Sequence, residues 1–149
     1  MDRLEQPVAA YISGEAVTEQ TILVEGEYGE GAYGPTILLL LRSSEGVAYL
    51  RNIFESLASS AEGSLVRLRN EPGISIGAAL WDLKLRVVKS SSLKHLFRDD
   101  EGGFTWIGTS DDWETMSLMI EPLLDQSGHQ YLTSEVEDDA LIEVSRGEH

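Results

Sequence analysis

Cysteine is absent from all 149 residues. Disulfides, thiolate metal sites and cysteine nucleophiles are therefore excluded, and the chain suits a reducing compartment such as the cytoplasm. Histidine is scarce: His95, His129 and His149 are the only three, and none forms a close pair at the helical spacing that metal ligands use. No metal site and no cofactor are expected. The chain also lacks a G-x-S-x-G elbow, the turn that exposes a serine nucleophile. Long apolar runs are missing too. The strongest, Ile37 to Leu41, is five residues long, against the roughly 20 that a membrane helix needs. The opening MDRLEQPVAAYISGE has neither the basic start nor the unbroken apolar stretch of a signal peptide. A soluble, cytoplasmic protein without membrane association is expected.

Positive charge is the remaining shortage. Eleven Lys and Arg stand against 26 Asp and Glu, for a net charge of −15. The imbalance is uneven. Residues 1–66 carry −7, residues 67–98 carry +5 and residues 99–149 carry −13, with Arg146 the only base in the last stretch. A surface this acidic repels phosphate backbones, so nucleic acid is an unfavourable partner. Such a surface keeps a protein soluble. It also suits a basic protein partner, whose approach it would steer.

What is present fits a folded chain. Apolar residues make up 42% and charged residues 25%, ordinary for a soluble globular protein. No repeat or linker divides residues 1–149, which are expected to form a single domain. Thr21–Val24 and Pro35–Leu41 read as strands, with EGEYGEGAYG as a glycine-rich loop between them. Ser43-Ser44-Glu45 reads as a helix start. Val47, Leu50, Ile53, Phe54, Leu57 and Ala61 then follow a helical stripe that Gly63 ends. SLVRLRN is strand-like, and Glu71-Pro72-Gly73-Ile74 after it predicts a hairpin turn.

On the return strand Ile74, Ile76, Ala78 and Leu80 share one face, whereas Leu83, Leu85 and Val87 take over after Trp81. A bulge or break near Trp81-Asp82 accounts for the shift. Phe104–Ile107 reads as another strand. The second helix is expected from Asp111, with Glu114 completing a capping box and Trp113, Met116, Ile120 and Leu123 or Leu124 buried. Pro122 should loosen its last turn and Gly128 end it. Ala140–Val144 is the final strand. The expected class is α+β: a mainly antiparallel sheet of about five to seven strands with two principal helices packed on one face.

Several clusters invite a functional reading. Gly29-Glu30-Gly31-Ala32-Tyr33-Gly34 spells the dinucleotide fingerprint, yet Pro35 and an apolar strand follow where a helix must receive the phosphates, and Glu27 and Glu30 would repel them. Arg67, Arg69, Lys84 and Arg86 alternate and would line the exposed sheet face, as an anion site or as an ordinary solvated surface. Trp81 lies on or beside that face and favours a contact surface. Glu135, Glu137, Asp138 and Asp139 lack the spacing of a calcium loop and read as a solvated acidic loop. His129-Gln130-Tyr131 reads as a joint, with the imidazole meeting open carbonyls at a helix C-terminus and Tyr131 anchoring the last strand.

No residue is singled out as catalytic. The expected function is that of a small acidic interaction domain, regulatory or of the immunity and inhibitor type, binding a protein partner or a second copy of itself as a homodimer. The alternative is a small-molecule-binding or catalytic domain whose pocket gathers Trp106, Trp113, His129 and Tyr131 between helix and sheet.

Overall fold

The glycine-rich stretch EGEYGEGAYG is mostly strand, not loop. In the computed structural model, which describes residues 21–90, 92–133 and 137–147, β1 (Val24–Gly31) runs through it. It pairs antiparallel with β2 (Gly34–Leu41), leaving only Ala32 and Tyr33 to turn. Gly34 at the turn has φ of 111°, a region glycine enters without steric cost. Gly26 serves close approach instead: a Cβ there would lie 2.9 Å from Ile76 Cδ1, so glycine marks a crossing rather than a break. The stretch read for a leader, Glu135 of the acidic run, and His149 lie outside the described residues.

Helix α1 (Ser44–Ala58) starts as its sequence indicates, with Ser43 Oγ accepting the Gly46 N–H at 3.4 Å. It buries Val47, Leu50, Ile53, Phe54 and Leu57 but ends at Ala58, so Ala61 and Gly63 belong to the following turns. The expected hairpin after it does not form. β3 (Leu65–Arg67) stops because Leu68 is drawn fully into the core, and Leu68–Asn70 tighten into a 3-10 turn. That turn carries the chain from one sheet to another. β3 pairs with β5 (Leu83–Val87), whereas β4 (Ile74–Ile76) lies parallel to β1. The break at Trp81 is present: Ala78–Leu80 turn, Trp81 adopts φ of 69°, and Leu83, Leu85 and Val87 then point inward.

After β6 (Leu96–Arg98) and β7 (Phe104–Gly108) comes α2 (Ser110–Ile120). Its cap is Thr109, earlier than expected. Thr109 Oγ1 accepts the Asp112 N–H at 3.1 Å and Asp112 Oδ2 accepts the Thr109 N–H at 2.9 Å, a reciprocal capping box. Pro122 converts the continuation into a 3-10 turn over Glu121–Leu124. The helical path has therefore ended before Gly128, which opens β8 (Gly128–Tyr131) against β9 (Leu141–Arg146).

The class is α+β, but one sheet gives way to two. Their orders are β4-β1-β2-β9-β8 and β3-β5-β7-β6. Among the described residues four ladders are antiparallel and three parallel, so both sheets are mixed. Helix α1 touches β1 and β2 of the first sheet and β5 of the second, while α2 packs on α1 and β7. One apolar core joins all these layers. At its centre Trp113 stacks on Phe54 at 5.7 Å, and Trp106 meets Trp113 edge-on at 5.0 Å. No helix among the described residues is long and apolar enough to cross a membrane.

Candidate functional site

The four residues expected to line a pocket divide into two pairs. Trp106 and Trp113 are wholly buried in the aromatic core. His129 and Tyr131 sit on β8 opposite Ser145 and Glu143, on the face turned away from Ile142 and Val144, which belong to the core. His129 is exposed, and its ring meets Tyr131 edge-on at 5.5 Å. The carbonyls after α2 are met by another residue: Arg146 Nη1 donates to Leu123 O at 2.6 Å and Leu124 O at 3.0 Å. At this joint β8 pairs with β9, and Arg146 ties β9 to the carbonyls that follow α2.

The four alternating bases are not one uniform face. Arg67 Nε donates to Asp82 Oδ2 at 2.9 Å, and the buried Asp82 also accepts the Arg69 and Leu83 N–H groups at 3.1 and 2.8 Å. Lys84 is buried and pairs with Asp99 at 3.2 Å and with Glu101. The Glu101 carboxylate raises the Lys84 ammonium above its ordinary value, against the opposing pull of burial. Arg69 and Arg86 have no carboxylate partner among the described residues. The Arg69 guanidinium instead lies 3.9 Å from the centre of the Trp81 ring. A bulky residue at the positive φ of Trp81 stores on the order of 1–3 kcal/mol of strain.

The acidic loop before β9 is a clasp. Asp138 Oδ1 accepts the N–H groups of His95 and Leu96, the latter at 2.8 Å, and Asp139 Oδ2 accepts that of Arg98 at 2.9 Å. These donors belong to β6 and the residue before it, on the outer edge of the second sheet. Blocking them removes a template for strand addition. The Lys94 ammonium, 2.6 Å away, and then the Arg98 N–H hold the Asp139 carboxyl below the ordinary range. Burial raises the Asp99 carboxyl, but the Glu101 N–H, Lys84 and Thr105 outweigh it and leave it lowered.

A carboxyl whose pKa is depressed by folding adds stability above its unfolded value of about 3.9, and that stability is lost as pH falls through the folded value. Thermal melts between neutral pH and pH 2 should therefore show stability dropping below about pH 4. Asp139→Asn should flatten that acid limb; a limb identical to the parent's would remove Asp139 from the account.

The remaining feature lies on the helices. Glu55, Ala58 and Ser59 of α1 and its cap face Glu114, Ser117 and Leu118 of α2 across a groove of about 410 Å³. Leu118 is 55% exposed. Glu45, Glu55, Asp111, Asp112, Glu114 and Glu121 are the acids of α1, α2 and the turn that follows α2, with Arg51 as the only base. Arg51 is already shared by Glu55 at 3.4 Å and Glu121 at 3.3 Å. Sequence reasoning followed the buried stripe of α2 and passed over Leu118. The signal was an apolar residue four positions after Glu114 on the polar side of the helix.

Among the described residues no group of three or more His, Asp or Glu is placed to hold a metal ion. No protein-family model, curated protein or solved structure matches the chain.

Proposed function

We propose that this chain is a non-catalytic docking domain of the regulatory or inhibitor type, which binds a basic protein partner through its helical layer in a reducing cytoplasm. One observation carries the reading: an exposed leucine, Leu118, stands in a groove rimmed by Glu55 and Glu114, on a layer with six acids and one base. An apolar anchor inside a charged rim is the arrangement by which interfaces combine affinity with steering. A partner bringing lysines or arginines around an apolar contact would neutralise the rim and bury the anchor. An inhibitor that covers a basic nuclease site is one object of this kind. A second copy is a poor occupant, since it presents the same acids to the same acids.

The test is charge reversal. Glu55→Lys with Glu114→Lys should weaken partner binding on the order of 100-fold in calorimetry, because each rim carboxylate becomes a repulsive contact. Parent binding should weaken as salt rises. A doubly reversed chain that binds as the parent does would overturn the reading, whatever partner is recovered.

A further inference from the structure

We propose that Trp81 and Arg69 form a second docking site, separate from the helical groove, that receives a carboxylate-bearing segment of a partner protein. Trp81 is 45% exposed although Leu80 and Asp82 on either side are fully buried. Among the described residues it is the only non-glycine at positive φ. The fold thus holds an indole outward, in a backbone conformation that most other side chains would avoid.

The ring is held in place. Trp81 N–H donates to Gly77 O at 3.1 Å and Asp82 O accepts the Phe104 N–H at 3.1 Å. Asp82 fastens both neighbours of the site: its carboxylate takes the Arg69 N–H from the 3-10 turn and the Leu83 N–H from the start of β5. Gly102 lies beside the ring, where a Cβ would stand 3.6 Å from Trp81 Cδ1. Arg69 is thereby positioned over the indole before any ligand arrives. A stacked guanidinium keeps its in-plane N–H groups available to a carboxylate fork.

Local charge selects the occupant. The neighbouring acids are already engaged, Asp82 by Arg67, Asp99 by Lys84, and Glu101 by Lys84 with Arg67 3.9 Å away, while Arg69 and Arg86 remain without carboxylates among the described residues. Leu65, paired with Arg86 across the β3–β5 ladder, is 42% exposed and lies on the same sheet face as Arg67 and Lys84. At physiological salt a short segment senses charge within about 8 Å, so it meets these arginines more than the net −15. A long polyphosphate or a second whole copy must approach the full acidic body, and both are disfavoured.

Anisotropy of a fluorescein-labelled octaglutamate peptide tests the site on the full chain. Saturable, salt-sensitive binding is expected, weakened at least tenfold by Trp81→Gly and by Arg69→Glu and unaffected by Glu55→Lys with Glu114→Lys. Glycine accepts the left-handed backbone, and Arg69 is a surface side chain, so both variants should melt close to the parent. The proposal is overturned if octaglutamate does not bind, if both variants bind it as the parent does, or if labelled oligothymidylate binds in its place. A salt-sensitive dimer in sedimentation that Trp81→Gly dissociates would also overturn it.

Discussion

Asp82→Ala should destabilise the chain by about 2–5 kcal/mol, because it leaves two backbone N–H groups unpaired at about 1–3 kcal/mol each. The Asp82 carboxylate is wholly buried and takes three donors: the Arg67 side chain and the N–H groups of Arg69 and Leu83. Alanine leaves all three without their acceptor. Arg67 is 39% exposed and can turn to water, but buried backbone donors lose about 1–3 kcal/mol each when unpaired. The loss is also topological, because Asp82 ties the crossing between the two sheets to the first residue of β5. A urea titration should show the midpoint falling with little change in slope. Asp82→Asn should recover only part of the loss, since its NH₂ group faces donors. An alanine variant within 1 kcal/mol of the parent, on the order of surface substitutions, would show that the crossing is held by packing alone.

Trp113→Ala should cost a similar 3–5 kcal/mol, as large-to-small changes in cores do. Trp113 is fully buried, stacks on Phe54, meets Trp106 edge-on, and donates through Nε1 to Arg86 O at 3.3 Å. It joins α2 to α1 and to β5 at once. Little around it can close the void, because its ring neighbours are themselves locked in the same cluster. Trp113→Phe keeps most of the contact and should retain more than half of the lost stability. The melting temperature of Trp113→Ala should fall on the order of 10 °C. A fall of less than about 3 °C, equivalent to about 1 kcal/mol at this chain length, would mean that the aromatic centre is not the keystone of the core.

Local chemistry made much of this fold legible in the sequence. The buried stripes of both helices, the serine cap at Ser43 and the change of face at Trp81 followed from periodicity and capping, which act within a few residues. What escaped was set by distant parts of the chain. Pro72-Gly73 does form a turn, yet the strands on either side join different sheets because Leu68 is pulled into the core. Gly26 of β1 looked like a loop residue because the neighbour that demands it, Ile76, lies fifty positions further on. For the same reason Asp138 and Asp139 read as solvated acids until β6, more than forty residues earlier, was found to supply their donors.

The candidate site was legible only in part. Charge imbalance pointed to docking, and Trp81 with the arginines around it was visible as a cluster. The pairing of Lys84 and Arg67 with carboxylates was not, since those partners, Asp99 and Asp82, lie far along the chain from the bases they meet. Arg146, which donates to the carbonyls of Leu123 and Leu124 from the far end of β9, was not legible at all, because its acceptors lie more than twenty residues earlier.

Site-specific photo-crosslinking tests the docking account most directly. A benzoylphenylalanine replacing Leu118 should capture one basic protein in cells, whereas the same probe replacing Tyr33, which is 62% exposed and outside the groove, should not. Capture from position 118 should disappear when Glu55 and Glu114 are reversed to lysine. Equal capture from both positions, capture of an acidic protein, or capture that survives charge reversal would contradict the assignment of the helical layer as the docking surface.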